Sequence, residues 1–271
     1  MTYWKATRLN GADFHTGTVD YAAALESGVP VTAPVIGLAN DHSFPGPKWL
    51  HLATVPTECV GMSWPCRLFE VEPVGDVFMD NAHPHKIGAR SVRVLREIEA
   101  HRVFGPQGEQ VAALIECCRT LSAAELDRLY TAGYAAGYAA GYAARDAARD
   151  AAWLAARDAA RDAAWLAAWD AARDAARDAA RVAARDAAWD AAWLAARVAA
   201  RVAALDATAG LMCRDLIGQY PGWDQDAYNL LTGPWRRTIG PIHPDDAPMS
   251  DYLRGRIDKQ ERIRNVMAGE R

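Results

Sequence analysis

A four-residue repeat occupies residues 142–208 and constrains the fold more than any other part of the chain. Its unit is Ala-Ala-Arg-Asp, in which Trp sometimes replaces Arg and Leu or Val replaces Asp. Three copies of Gly-Tyr-Ala-Ala introduce it at Gly133–Ala144, and neither Gly nor Pro interrupts it after Tyr142 until it ends at Thr208. Because Ala is the strongest helix former, the repeat predicts continuous α-helix.

The start of this helix has a signal of its own. Ser122 and Glu125 have the spacing of a capping box, and Leu121 and Leu126 have that of the accompanying hydrophobic staple. A single helix from this point to Thr208 would be about 130 Å long.

The period of the repeat excludes a steady coiled-coil seam. At about 100° per residue, each four-residue step moves the pattern some 40° around the helix, so a row of equivalent positions circles it in about nine units. A heptad spacing of about 3.5 residues stays on one side, whereas a spacing of four does not. The tryptophans therefore point in several directions, and we regard them as candidate interaction residues: Trp153, Trp165, Trp169, Trp189 and Trp193.

The charges of the repeat balance, with ten Arg and ten Asp between Gly133 and Thr208. Three interpretations stay open. The segment is a solvated single helix grown by repeat expansion, an oligomerisation or bundle element in which Ala rows approach closely and Trp residues anchor contacts, or a nucleic-acid-binding helix. The equal number of Asp opposes the third, and the apolar area of the Trp side chains favours some packing.

Composition narrows the class of protein. A net charge of -4 argues against a surface built for nucleic acid. The five cysteines are odd in number and irregularly spaced, which indicates a reduced, cytoplasmic chain. The first ten residues lack the apolar run of a signal peptide, and the charges of the repeat exclude a membrane span.

The segment before the repeat predicts a small α+β domain at residues 1–121. Strand patterns occur at 3–8, 49–54, 66–74 and 91–95, and helix patterns at 19–28 and 106–121. The predicted fold class is therefore an α+β N-terminal domain, a very long Ala-rich helix at 122–208 and a short helical tail at 209–271.

The tail predicts three short helices, at 211–219, 224–231 and 250–267, separated by Gly-Pro and Pro-Gly pairs. The last of them is basic and is either a solvated face or a contact for an acidic partner or RNA. Its basic residues are Arg254, Arg256, Lys259, Arg262 and Arg264.

Motifs that would establish a reaction are scarce. His83 and His85 are close in sequence, but no ligand pairs have zinc spacing, so we expect no metal site. The sequence contains no Walker-type phosphate loop, dinucleotide-binding glycine fingerprint or Gly-x-Ser-x-Gly elbow.

Several segments resemble an uncharacterised N-terminal domain of actinobacteriophage and prophage proteins, which low-complexity repeats often follow. The similar segments are Tyr3–Thr7, Trp49–Ala53, Cys66–Pro73 and Ser91–Ile98, and in the tail Leu230–Trp235 and Ile239–Asp246. The resemblance implies a phage context and no established activity.

The order of strands and helix also resembles small ADP-ribosyltransferase-like domains, which hold NAD between strands with a His or Arg, an aromatic or Ser, and a Glu. This resemblance implies Tyr3, His51 and Glu97 as candidate catalytic residues and NAD as cofactor.

The sequence thus favours a non-enzymatic binding or structural accessory protein that needs no cofactor. The repeat would act as a spacer or mediate self-association of the protein. The candidate partners are therefore a second copy of the chain and an unknown host or phage protein. An ADP-ribosyl-transferring enzyme in residues 1–121 and a passive repeat spacer are the alternatives.

Overall fold

Five antiparallel strands and seven α-helices make up the part of the chain that the computed structural model describes, residues 2–34, 49–59, 61–79, 84–140, 142–159, 161–185 and 190–246. The strands are β1 (Tyr3–Thr7), β2 (Val31–Thr32), β3 (Leu50–Ala53), β4 (Arg67–Met79) and β5 (Lys86–Ile98). The helices are α1 (Tyr21–Ser27), α2 (Gly108–Arg119), α3 (Ala123–Ala140), α4 (Tyr142–Asp158), α5 (Asp162–Arg185), α6 (Asp190–Met212) and α7 (Gln225–Thr238).

The long strand β5 bends the sheet into a ring. Its residues 86–89 pair with β3 and its residues 87–98 pair with β4. Since β1 pairs with both β3 and β4, the strands β1, β3, β5 and β4 close on one another. The short β2 adds to β5, where Val31 lies opposite Val92.

Each face of the sheet has its own hydrophobic cluster. One face, which we call the α1 face, carries Tyr3, Phe69 and Val71 and is covered by Tyr21 of α1. The opposite face contributes Ala6, Leu68 and other side chains to a larger cluster that continues through α2 into the repeat helices and α7. Successive residues of a strand face opposite sides, which explains how β1 serves both clusters.

The predicted elements of residues 1–121 are present, with shifted boundaries. Residues 66–74 and 91–95 were expected as short strands, but β4 and β5 both run for 13 residues. Helix α2 buries the four residues that its period predicts: Val111, Leu114, Ile115 and Cys118. The capping box is confirmed, because Ser122 N donates to Glu125 Oε2 at 2.8 Å and Glu125 N donates to Ser122 Oγ at 3.3 Å.

The prediction of one very long helix is wrong. The repeat contributes to separate helices of 17 to 24 residues, and these pack on one another and on α2 and α7. Between α4 and α5, Ala159 N still donates to the Ala155 carbonyl, but Arg161 N donates to that of Ala156, five residues back. A new helix starts there, and Trp165 N donates to the Arg161 carbonyl.

Packing of the Ala rows explains why short helices replace the long one. Ala pairs four residues apart, such as Ala171 with Ala175 and Ala172 with Ala176, are buried. Residues at i and i+4 form the ridge that packs into the groove of a neighbouring helix in globular proteins. Over the four to six units of one short helix the row drifts about 120 to 200°, so much of it faces neighbours, whereas over the whole repeat it would circle the axis.

Two further predictions about the tail are wrong. The repeat helix does not end at Thr208, because α6 continues through Gly210 to Met212. A Cβ at Gly210 would lie 2.8 Å from Thr232 Cγ2 of α7. The missing side chain therefore lets the two helices approach. Helix α7 contains Pro234, which was expected to separate helices. The helix predicted at 250–267, with its basic residues, lies outside the described part.

Candidate functional site

A cavity of about 300 Å³ opens on the α1 face of the sheet. Its walls come from β1, the loop between β1 and α1, α1 itself, and the chain around β3. The lining residues are Lys5, Asp13, His15, Thr16, Val19, Tyr21, Pro34, Trp49, Leu50 and His51. His15 and Thr16 are exposed, whereas Asp13 and Tyr21 are buried, so the cavity has an open rim and a buried floor.

Lys5 is the charged residue that β1 brings to the α1 face. Strand alternation places it on the same side as Tyr3, and it lies opposite Phe69 of β4. Its Nζ donates to the His51 carbonyl oxygen at 3.1 Å and lies 5.7 Å from the centre of the Tyr21 ring. Burial lowers the pKa of the Lys5 ammonium, and the nearby Cys59 and Asp13 oppose that shift.

Asp13 holds the loop between β1 and α1 in shape. Its Oδ1 accepts hydrogen bonds from Thr16 Oγ1, Thr18 N and Val19 N at 2.8, 3.1 and 3.0 Å, and its Oδ2 accepts one from Thr16 N at 2.6 Å. Burial works against ionisation, but these hydrogen bonds, together with Lys5, lower the pKa of Asp13. Four donors match the lone pairs of one carboxylate, so the hydrogen-bonding capacity of Asp13 is used within its own loop.

Tyr21 forms the floor of the cavity. Helix α1 is fixed at one end by Asp20, whose side chain accepts from Ala23 N at 3.0 Å, and at the other by Gly28 in the left-handed conformation. The Tyr21 ring stacks on Phe69 with 6.4 Å between centroids. The side chain is 0% exposed, and among the described residues its hydroxyl has no hydrogen-bond partner. Burial raises the pKa of Tyr21, which keeps it a neutral donor.

The three candidate catalytic residues do not meet in this cavity. His51 lines it and is half-buried, while Tyr3 is buried in the cluster of the α1 face. Glu97 lies near the end of β5, where Arg67 donates to its carboxylate at 2.9 Å from Nε and 2.6 Å from Nη2. Of the three, only His51 contributes to the lining.

The five candidate tryptophans have different environments. Trp165 is buried in the larger cluster and Trp169 is half-buried. Trp153 is 41% exposed, with the Arg157 guanidinium 5.1 Å from its ring centre. Trp193 belongs to α6, and Trp189 lies outside the described residues.

Sequence reasoning did not single out Lys5, Asp13 or Tyr21. One signal was available for Lys5, because it is a charge at an interior position of a strand, Tyr3–Thr7, whose other residues are uncharged. The roles of Asp13 and Tyr21 depend on contacts across the sheet and the loop, and no local pattern indicates them.

Comparisons with protein-family models, curated proteins and solved structures found no match. Within the part of the chain that the structure describes, no helix is both long and apolar enough to cross a membrane. In the same residues, no group of three or more His, Cys, Asp or Glu side chains is placed to hold a metal ion.

Proposed function

We propose that this chain is a non-enzymatic binding protein of the phage or prophage type that its sequence resembles, and that the cavity on the α1 face is its recognition site. One observation carries the proposal. Two residues line the same cavity: Tyr21, whose buried hydroxyl has no partner among the described residues, and Lys5, which brings a half-buried ammonium. Buried polar groups are normally satisfied, so an unsatisfied one calls for an explanation, and a bound ligand would supply it.

The groups of the cavity suit binding better than catalysis. Asp13 has its lone pairs engaged by its own loop, so it is a poor general base. Tyr21 is a neutral donor. Transfer of ADP-ribose by the proposed trio would need Tyr3, His51 and Glu97 around one ligand, and Glu97 is instead engaged by Arg67.

The repeat helices contribute support in this proposal. They join the larger cluster, which reaches the sheet through Ala6 and Leu68. A role as a spacer about 130 Å long depends on one helix and is not proposed. Self-association remains part of the proposal, because Trp153, Leu154 and Leu166 leave apolar area on the repeat helices in water. We place the protein in the cytoplasm, where its free cysteines stay reduced.

A fragment screen tests the recognition site. Wild type and a filled-cavity variant, Val19→Phe, are screened by ligand-observed NMR against neutral, cationic and anionic fragments, with NAD included. We expect fragments that bind wild type and lose binding to the variant, and that shift the Trp49 indole signal in a protein-observed spectrum of wild type. Circular dichroism melts check that Val19→Phe stays folded, and Leu50→Phe serves as a second filled variant.

Two results would contradict the proposal. Either no fragment binds wild type, or the fragments that bind wild type bind both filled variants equally well. NAD that binds wild type but not His51→Ala would favour the enzyme alternative instead.

A further inference from the structure

Two residues that line the cavity, Tyr21 and Lys5, have hydrogen-bond donors that remain available. The Tyr21 hydroxyl has no acceptor among the described residues, and the only acceptor of Lys5 there is the His51 carbonyl oxygen. An ammonium has three N–H groups, so two remain for a ligand. A ligand that supplies acceptors to both residues would remove the cost of burying them unsatisfied.

The carboxylate of the cavity, that of Asp13, is already used. Both oxygens of Asp13 receive hydrogen bonds from the loop residues Thr16, Thr18 and Val19. A cationic group of a ligand would have to break those bonds to reach the carboxylate. The cavity therefore favours ligands that present hydrogen-bond acceptors and disfavours ligands that present ammonium groups. An anion is for this reason a better ligand than a cation or a zwitterion.

The kind of anion follows from what is missing around Lys5. Among the described lining residues none is an arginine, whereas bidentate phosphate recognition employs Arg forks, and other phosphate sites use several backbone N–H groups. A lysine and a phenol suit the single negative charge and two oxygens of a carboxylate.

The remaining walls define the body of the ligand. Val19, Pro34, Trp49 and Leu50 present apolar surface. The indole of Trp49 contacts Phe78, with 5.6 Å between ring centroids, and the guanidinium of Arg90, which lies 4.3 Å from the ring centre. An aromatic wall in a volume of about 300 Å³ suits a flat apolar group about the size of one or two rings.

We propose that the cavity binds a carboxylate with a flat apolar body, whose oxygens accept from Lys5 Nζ and Tyr21 Oη. This inference rests on the proposed recognition site. The carboxylate has two possible sources, a free organic acid or the C-terminus of a peptide that ends in an apolar residue.

Isothermal titration calorimetry with benzoate and its uncharged isostere benzamide tests the ligand class. We expect benzoate to bind at least about 10-fold more tightly, because hydrogen bonds to a charged group are the stronger ones. Lys5→Met and Tyr21→Phe should each weaken benzoate by about 10-fold and leave benzamide less affected.

Matched controls are available on the same sheet. Arg93→Met removes an exposed cation of β5, and Tyr3→Phe removes the hydroxyl of a buried tyrosine. Neither residue is among the described residues that line the cavity. Both should retain benzoate binding within about 2-fold of wild type. N-acetyl-phenylalanine and its amide test the second source, because they represent a peptide C-terminus with and without its charge. If the free acid of this pair binds more tightly than benzoate, the source is a peptide C-terminus, and the opposite order indicates a free acid.

The outcomes separate the two proposals. Equal affinity for benzoate and benzamide, or unchanged benzoate binding in both Lys5→Met and Tyr21→Phe, overturns the carboxylate inference. If fragments of other classes still lose binding in the filled-cavity variants, the recognition site stands without it. If no fragment binds at all, both proposals fail.

Discussion

Arg161, a repeat arginine between α4 and α5, is linked to Asp215, which follows α6. Its Nη1 and Nη2 donate to the two carboxylate oxygens of Asp215 at 2.9 and 2.7 Å. Nη1 also donates to the carbonyl oxygen of Met212, the last residue of α6, at 3.0 Å. One repeat side chain thus satisfies an orphan carbonyl at the C-terminal end of another helix.

We expect Arg161→Met to destabilise the fold by about 2–3 kcal/mol, because it leaves the Met212 carbonyl and Asp215 without their charged donor. Urea unfolding followed by circular dichroism measures the change. Arg157→Met is a matched control from the preceding repeat unit. The Arg157 side chain is 48% exposed, and its partner Asp158 is exposed too, so its loss should cost under about 1 kcal/mol. Equal costs for the two variants would contradict the assigned role of Arg161.

This bond also explains why the long helix was a wrong prediction. Arg157 and Arg161 occupy equivalent places in identical Ala-Ala-Arg-Asp units, yet one is exposed and the other is buried. The four-residue unit is the same at both, so the helix ends there because of tertiary contacts, which override helix propensity. Asp215 is 54 residues away in the sequence.

The N-terminal strands were predictable because their signals are local. Aromatic and Thr residues before a turn signal predicted a strand near β1, and period-2 alternation predicted strands near β3 and β4. Ser122 with Glu125 predicted the start of α3. The ring of strands was not predictable, since it requires β5 to pair with β3 and β4 at once. The cavity depends on that closure, which is why Lys5 did not stand out in the sequence.

The Ala rows should tolerate no added volume. Ala176 is 0% exposed, so we expect Ala176→Leu to destabilise the fold by about 1–3 kcal/mol through overpacking. Ala147→Leu makes the same change at an exposed repeat position of α4 and should be nearly neutral. The measurement is the urea midpoint of each variant. Similar midpoints for wild type and Ala176→Leu would show that the repeat helices do not pack along this row.

Asp13 should make the free energy of unfolding depend on pH in the acid range. Its pKa is lowered in the folded protein, against burial, by hydrogen bonds from Thr16 and Val19, so its stabilising effect is present above the ordinary value of 3.8 and is lost as pH falls through the folded-state pKa. Asp13→Asn should cost about 1–3 kcal/mol at neutral pH, and the difference from wild type should shrink in acid.

Urea unfolding at a series of pH values measures this dependence. Asp150→Asn removes an exposed carboxylate of the repeat. This variant should lose stability at low pH in the same way as wild type. A constant difference between wild type and Asp13→Asn across the whole pH series would rule out ionised Asp13 as the source.

Self-association has a test in Trp153, whose indole is 41% exposed. If the repeat helices bind a second copy through Trp153, wild type should be larger than a monomer in size-exclusion chromatography with light scattering, and Trp153→Gln should shift it towards the monomer. Trp165→Phe, a change in the buried core, should alter stability more than assembly. A wild-type monomer at high concentration would remove this part of the proposal.

The pH dependence of benzoate binding gives the last prediction. Burial lowers the pKa of free Lys5, Cys59 and Asp13 oppose the shift, and Lys86 reinforces it. A bound carboxylate stabilises the ammonium and raises that pKa again. The affinity for benzoate therefore has its full value at pH values below the pKa of free Lys5. It falls as pH rises from there to the pKa of the complex, by up to about 10-fold per pH unit.

The other groups near Lys5 should not produce this profile. The pKa of Asp13 is lowered, that of Tyr21 is raised, and that of Cys59 is raised to about 12, so none of them titrates in the same range. His51 faces Lys5 through its backbone carbonyl, and His15 at the rim is removed by His15→Asn. Calorimetry from about pH 6 to 10 should give the same fall in affinity for wild type and His15→Asn. Lys5→Met should give a flat, weaker profile, because no ammonium is left to lose its proton, and a fall that persists in Lys5→Met would assign the effect to another group.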